Sequence, residues 1–285
     1  MSACRLIVHA DDFGLSRKVN AGILDAHRHG ILTSTSLIAS GTAFDEAVGL
    51  SKSTPTLDVG VHLTLVGERP VLAPETIPTL VDRRGRFVEA AGSFMLRLML
   101  GRVSLDDVRR ELEAQISKVF EAGVTISHLD GHQHLHMAPG VRGVVHQLAR
   151  KWRIPAMRYP AEAIRPYMLK KPGGWPRVAE LVLLNSFCGL APADQLARPD
   201  HFVGFYFGGR LSKSNLLTVL ADLPSDGICE LMCHPGISDP DSPYRSWNYH
   251  WQDERDALTD PDVLDCLRNR GVRLVSYREL RAAAR

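Results

Sequence analysis

The sequence predicts an α/β fold, a complete or distorted (β/α) barrel of roughly seven or eight strands, from two observations. Short apolar or β-branched runs alternate with amphipathic helical stretches along the chain, the pattern of a largely parallel sheet with crossover helices. Titratable side chains recur directly after those runs, at Asp11-Asp12, His62, the cluster around His132, Arg158 and His234, which is where a barrel carries its functional face. The strand count favours a barrel over an open doubly wound sheet, and no G-x-G-x-x-G or Walker-type loop follows a strand to cradle phosphates. A chain of 285 residues is long enough for such a barrel, so a single domain over 1–285 is expected.

Leu6 to Ala10 reads as a buried first strand, followed by Asp11-Asp12-Phe13-Gly14, and Ser16 is placed to cap a helix from about Lys18 to His29. Adjacent carboxylates on an extended backbone point opposite ways, so both serve one site only if the chain bends, which Gly14 makes easier. One of the two could instead cap the helix. Thr35 to Ile38 is a second strand, Phe44 to Ser51 a helix, and Val59 to Leu65 a third strand interrupted by His62, which alone reads equally as a satisfied core histidine. Residues 66 to 103 break the rhythm. Pro70, Pro74 and Pro78 space out a loop, Asp82-Arg83-Arg84-Gly85 reads as a turn, and Phe94 to Leu100 is apolar. An insertion of this length, rooted after the strand with His62, is expected to act as a loop or lid over the site. Its Phe94, Met95, Leu96, Leu98, Met99 and Leu100 suit packing on the barrel or a homodimer contact equally well. From Leu105 to Ala122 the helical period returns, with Val108, Leu112, Ile116 and Val119 on one stripe.

The most concentrated stretch is Ser127 to Met137, which holds four of the twelve histidines and one carboxylate. Val124-Thr125-Ile126 reads as the strand leading in, Gly131 as its break, and Pro139-Gly140 as the entry to a helix over 141–151. Wherever the backbone is extended, the alternating polar positions of His-Leu-Asp-Gly-His-Gln-His-Leu-His project to one side. Imidazoles and a carboxylate at a strand end suit a borderline divalent ion, both as ligands and as the partners that orient ligands. Spacing does not choose between His128 and His132, and leaves Asp130, His134 and His136 without assigned roles.

Ile154 to Arg158 is a short strand, with Pro160 holding Tyr159 extended. Arg158 either pairs with a carboxylate of the site or lies on the surface. Residues 170–174 read as a loop, Val178 to Leu184 as part of a helix, Phe202 to Phe207 as a strand and Lys213 to Leu220 as a helix. Ile228 to Cys233 is a strand ending in His234-Pro235-Gly236. Pro261 opens a helix to about Arg270, Val272 to Ser276 is the last strand, and Tyr277 to the end is helical with a cationic finish.

With 34 basic residues against 32 acidic and no Lys/Arg block able to track phosphates, nucleic-acid binding has no support. No apolar run reaches the roughly 18 to 20 residues of a membrane span, and Met1-Ser2-Ala3-Cys4-Arg5 leads into a strand without signal-peptide features. The five cysteines are odd in number and lack C-x-x-C spacing, and Cys229 and Cys233 read as small buried hydrophobes. A soluble, cytoplasmic protein with reduced thiols is expected.

The titratable residues come from five separate strand ends, so only folding would gather them. One carboxylate and two neutral imidazoles suit Zn²⁺ or a similar ion with positions left open. Such an ion lowers the pKa of a water toward about 7 to 9. A second, unligated carboxylate would take the proton, the cation would hold the oxyanion, and a histidine such as His234 would protonate the departing amine.

Ala-Asp-Asp-Phe-Gly at 10–14, Gly-Val-His-Leu-Thr at 60–64, the histidine motif at 128–136 and Cys-His-Pro-Gly at 233–236 resemble, over nearly the whole chain, the YdjC-like (ChbG-type) carbohydrate deacetylases. Gly-Glu-Arg-Pro-Val-Leu at 67–72 and Val-Asp-Arg-Arg-Gly-Arg-Phe at 81–87 resemble the hopanoid-associated branch. The resemblance implies a distorted barrel similar to that of the polysaccharide deacetylases and one divalent metal, Mg or Zn. It also implies removal of the N-acetyl group from an N-acetylated amino sugar, oligosaccharide or glycolipid, with release of acetate. By position it implies Asp12, His62 and His132 as metal ligands, Asp11 as the base, Arg158 as the residue orienting Asp11, and His234 as the acid. Two further readings use the same residues. Another metal hydrolase, a phosphoesterase or cyclic amidohydrolase, usually carries its His-x-His on the first strand, whereas His134 and His136 lie mid-chain. A non-catalytic sugar-binding protein would not need Asp11 and His234 beside the ligands.

Overall fold

The structure, a computed structural model, describes residues 4–170, 174–189 and 196–283. Met1 to Ala3, part of the loop expected at 170–174 and the last two residues of the expected terminal helix lie outside these. In chain order come β1 (Arg5–Phe13), α1 (Arg17–His29), β2 (Ser34–Leu37), α2 (Phe44–Ser53), β3 (Asp58–Leu63), α3 (Ala91–Met99), α4 (Leu105–Glu121) and β4 (His128–Gly131). There follow α5 (Val141–Lys151), β5 (Ala156–Met157), α6 (Pro166–Lys170), α7 (Trp175–Gly189), β6 (His201–Val203), α8 (Lys213–Ala221) and β7 (Ile228–Cys233). The chain ends with α9 (Trp251–Leu258), α10 (Pro261–Asn269), β8 (Arg273–Val275) and α11 (Tyr277–Ala283).

Seven parallel strands run in the order β5-β4-β3-β2-β1-β7-β6. β8 pairs with the start of β1, along the same edge on which the end of β1 pairs with β2. At the outer strands, Ala156 of β5 forms an isolated parallel bridge to Ala197, just ahead of β6, and Phe202 of β6 forms one to Glu162, just beyond β5. The sheet therefore curls into a distorted (β/α) barrel, as expected. β2, β3, β4 and β7 are buried along their whole length. Covering both faces of a parallel sheet requires near-continuous apolar strands, so their polar members stand out: His62, Asp130 and Glu230 are all fully buried.

The helices follow their local signals. The Ser16 hydroxyl accepts from the Val19 N–H at the start of α1, and Asp260 with Pro261 opens α10. On α4, Val108, Leu112, Ile116 and Val119 are buried, each contributing about 1.5–3 kcal/mol of apolar burial. No helix among the described residues is long and apolar enough to cross a membrane.

Two expected strands differ. Residues 124–127 carry no regular structure, and β4 begins only at His128. The run Phe202 to Phe207 stops being a strand after Val203, because the Glu162 carboxylate takes the N–H groups of Gly204 and Tyr206 at 3.1 and 3.0 Å and draws the chain off the ladder. Gly204 turns there with φ of 110°, and a Cβ would stand 2.5 Å from the Met232 carbonyl oxygen.

Segment 66–103 is held against α4. Glu111 accepts from the N–H groups of Val71 and Leu72, and Asp107 accepts from Thr79. Ile77, Leu80, Phe87 and Phe94 are buried, while Leu96, Met99 and Leu100 on or just after α3 are exposed.

Candidate metal centre and active site

The two aspartates part company through a bulge. β1 pairs Ala10 with Thr35 and Phe13 with Leu37, so that Asp11 and Asp12 stand against the single residue Ser36, and Asp12 takes up the excess with a φ of 69°. A left-handed non-glycine residue is strained and is held only where its surroundings determine it. The bend therefore sits on Asp12 itself, ahead of Gly14. Ser16 caps α1, so neither aspartate is used there.

Asp12 Oδ1 faces His62 Nε2 at 3.5 Å and His132 Nδ1 at 3.3 Å, all three residues being buried. The Nδ1–H of His62 donates to Asp130 Oδ1 at 2.9 Å, while Ser36 Oγ donates to Asp130 Oδ2 at 2.8 Å. With that nitrogen carrying a proton, His62 turns Nε2 toward the Asp12 carboxylate, a position filled either by a second proton or by a cation held between the two. Both Asp12 oxygens and His62 Nε2 indeed lack a hydrogen-bond partner. The charges point the same way, since Arg158 is taken up by Asp11, Asp130 and Glu230, and the charged neighbours that act on Asp12 are imidazoles. Burial alone would depress His62, but Asp130, Asp11 and Asp12 outweigh it and bring its pKa up to about 9. This donor set, two imidazoles and a carboxylate with open positions, fits a divalent ion.

Two neighbouring groupings fit one less well. His9 Nε2 lies 3.1 Å from His128 Nε2 and 3.4 Å from Asp130 Oδ2. That oxygen already meets Ser36 and, at 3.0 Å, Arg158 Nη1. Burial lowers both imidazoles, His128 to about 4, so the trio closes on itself through a hydrogen bond between neutral imidazoles beside the Asp130 carboxylate. The set Asp11, His62 and Asp130 is closed too, because Arg158 takes both Asp11 oxygens.

Arg158 is fully buried and is not a surface arginine. Its Nη1 and Nη2 donate to Asp11 at 2.8 and 2.6 Å, and its Nε to Glu230 Oε1 at 2.8 Å. The Tyr277 hydroxyl donates to Glu230 Oε2 at 2.6 Å, fixing the far end of the chain of contacts. Burial works to raise the Asp11 carboxyl, yet Arg158 outweighs it and holds the group below the usual carboxylate range. Facing it from the end of β7, His234 Nε2 lies 3.9 Å from Asp11 Oδ2, and His234 Nδ1 lies 3.9 Å from Glu254 Oε2.

Asp11, Asp12, His62, His132, Arg158 and His234 thus converge on one face. The rest of the histidine motif does not. His128 and Asp130 share a side of β4 and both reach His9. Beyond Gly131 the chain turns through two left-handed residues, Gln133 and His134, which ends the alternation. His134 packs against Phe202 and Phe205, and His136 Nε2 meets the Arg158 carbonyl oxygen at 3.3 Å. Sequence reasoning passed over Glu230, although an acid inside an apolar strand is the same signal that marked His62. It also passed over Glu68, Glu254 and the aromatic residues of 244–251, where two of the four tryptophans fall within five residues.

Fold and site together define an α/β-barrel protein whose strand ends assemble a buried Asp–His–His set placed to hold a metal ion, beside an arginine-held carboxylate and a facing histidine. The model of the YdjC-like protein family matches residues 5–269, and the chain belongs to that family. A carbohydrate deacetylase from Geobacillus stearothermophilus is 34% identical over 96% of this chain and 96% of its own. A chitooligosaccharide deacetylase from Yersinia enterocolitica is 32% identical over 95% of this chain and 97% of its own. Among solved structures, one from Enterococcus faecalis, described as a candidate cellobiose-phosphate cleavage protein, is similar with a TM-score of 0.75 and 30% identity, covering 98% of this chain and 99% of that one.

Proposed function

We propose that the protein is a metal-dependent carbohydrate deacetylase that removes the acetyl group from an N-acetylated amino sugar, with Asp12, His62 and His132 as metal ligands, Asp11 as the base, Arg158 orienting it and His234 as the acid. The observation that carries the reading is the meeting of an open Asp–His–His set with a separate, arginine-bound carboxylate 3.9 Å from a histidine. The relatives named as carbohydrate and chitooligosaccharide deacetylases support the same chemistry.

A divalent ion, Mg²⁺ or Zn²⁺, supplies when bound the positive charge that acidifies water and polarises an acetyl carbonyl. The remaining work belongs to the chain. Asp11 stays ionised because Arg158 holds it, so it is free to accept the proton of the attacking water. Glu230 and Tyr277 fix Arg158 from behind and thereby fix the direction of that proton transfer. As the carbon–nitrogen bond breaks, His234 Nε2 gives a proton to the sugar nitrogen, which leaves as an amine while the acetyl group becomes acetate. Incubating the protein with a panel of N-acetylamino sugars is expected to release acetate, and chelation followed by metal reloading to abolish and restore it. No release by metal-loaded protein would leave a sugar-binding protein or another hydrolase, and release unaffected by chelation would remove the metal from the mechanism.

The proposal extends to a single domain over 1–285 with 66–103 as its lid. Gly67 and Glu68 border the site, and Ala91 N–H donates to Gln133 Oε1 at 2.9 Å, tying α3 to the histidine motif. Exposed Leu96, Met99 and Leu100 give this segment an apolar face suited to the group attached to the amino sugar, including the lipid of a glycolipid. Replacing 90–102 by a Gly-Ser linker is expected to raise KM for a large acetylated glycoconjugate and to spare a free N-acetylated disaccharide. Equal effects on both in a folded protein would make the segment structural. A cytoplasmic place of action is part of the same reading, supported by the five unpaired cysteines.

A further inference from the structure

Next to His132 lies a cluster that the proposed chemistry does not use. Glu68 is only 5% exposed, yet its Oε1 has no hydrogen-bond partner. A buried carboxylate oxygen without a partner is costly, and in native structures it calls for an explanation. Its backbone is pinned, since Gly67 N–H donates to the Val88 carbonyl and Phe87 N–H to that of Glu68. Burial pushes the Glu68 carboxyl above its usual range, with Tyr244 and His132 nearby acting against it. Gly67 turns with φ of 76°, and the place a Cβ would take lies 3.8 Å from both His132 Nε2 and Trp247 Cζ2. Three elements thus meet at this corner of the site, within van der Waals reach of one another.

Trp247 is half-buried, with its ring 5.0 Å from that of His132 and 4.9 Å from Tyr244. Tyr249 stands 5.6 Å further along and 4.8 Å from the His234 ring. An aromatic strip therefore runs from the histidine of the Asp–His–His set to the histidine placed to protonate the leaving group. A pyranose ring offers one apolar face of C–H groups and a rim of hydroxyls. The first suits an indole, and the second suits a carboxylate that can accept a charge-assisted hydrogen bond.

We propose that Trp247 and Glu68 form the subsite for the sugar ring, Trp247 as the face on which the ring lies and Glu68 as the acceptor of a ring hydroxyl beside the acetamido group. The proposal rests on the deacetylase reading and names how that site recognises a sugar. A carboxylate behind His132, analogous to Asp130 behind His62, is the competing role for Glu68, and it predicts a different outcome.

The test uses metal-loaded protein and the variants Glu68→Gln, which keeps the shape and one carbonyl oxygen, Trp247→Ala and Trp247→Phe. A chitooligosaccharide is compared with an aryl acetamide, which has the amide but neither hydroxyls nor a pyranose face. The preference for the sugar, as a ratio of kcat/KM values, is expected to fall about tenfold or more in Glu68→Gln and in Trp247→Ala, mainly through KM. Trp247→Phe should recover part of the loss, and metal content should match the unsubstituted protein. A calorimetric titration with the same oligosaccharide reads binding without turnover and should weaken by a similar factor. Unchanged binding in both variants overturns the subsite even if the unsubstituted protein releases no acetate, a result that would instead count against the deacetylase reading. Equal losses on both substrates, or loss of metal from Glu68→Gln, also overturn it, the latter in favour of the role behind His132.

Discussion

Alanine at His62 or at His132 is expected to release the divalent ion and bring deacetylation to background. The loss should exceed the roughly 10²–10³-fold cost of removing a single oxyanion donor, because the acidified water is lost with the charge that holds the oxyanion. The two variants should differ in stability. His62 is fully buried between Asp12 and Asp130, so its removal leaves a cavity and a carboxylate oxygen short of a donor, costing about 1–3 kcal/mol for the unmet hydrogen bond alone. Asp130 nevertheless keeps Ser36 and Arg158, and the barrel should still form. His132 sits on the turn after β4, where its loss disturbs no ladder. Loading should also depend on pH with a definite sign. Since the surrounding carboxylates, against the effect of burial, bring His62 up to about 9, the ion must displace a proton below that pH, and apparent affinity should fall as the solution is acidified. Elemental analysis after dialysis settles the matter, and full occupancy in both alanine variants would remove these residues from the ligand set.

The alternation of strands and helices and the location of the site at strand ends were readable because a parallel sheet covered on both faces tolerates few polar residues inside its strands. His62, Arg158 and the motif at 128–136 were conspicuous for that reason. What divides the labour among them was not readable from spacing. Asp11 and Asp12 are separated by a bulge that puts Asp12 at a positive φ, and no pattern of neighbouring residues announces such a bulge. His132 reaches the Asp–His–His set, and His134 does not, because two successive left-handed residues cancel the alternation that an extended chain would have kept. The family resemblance, not periodicity, singled out His132. Trp247, Tyr249 and Glu254 escaped notice for another reason. The chain from Gly236 to the start of α9 follows neither a helical nor a strand period, so its contribution depends entirely on where the barrel brings it.

Asp11→Asn is expected to separate the base from the ligands. The substitution keeps the size of the side chain but replaces one acceptor oxygen by an amide NH₂, which would face an Arg158 nitrogen now 2.6 or 2.8 Å from a carboxylate oxygen. Two donors cannot bond, so one of the two guanidinium contacts is lost. Arg158 is not left unpaired, because Asp130 at 3.0 Å and Glu230 at 2.8 Å still hold it. The protein should therefore fold, at a lower melting temperature, the cost falling below the roughly 3–5 kcal/mol of a buried pair broken outright. Metal should be retained, since Asp12, His62 and His132 face one another without Asp11. Turnover, lacking a proton acceptor, should fall on the order of 10²–10⁴-fold, with KM for the sugar little changed. Asp12→Asn is the necessary contrast, because a neutral amide in place of the only carboxylate in the ligand set should reduce metal content together with activity. Metal analysis and acetate release on the two asparagine variants then decide the assignment. Near-normal turnover in Asp11→Asn, or metal lost there and kept in Asp12→Asn, would mean that the roles of the two aspartates are reversed or misread.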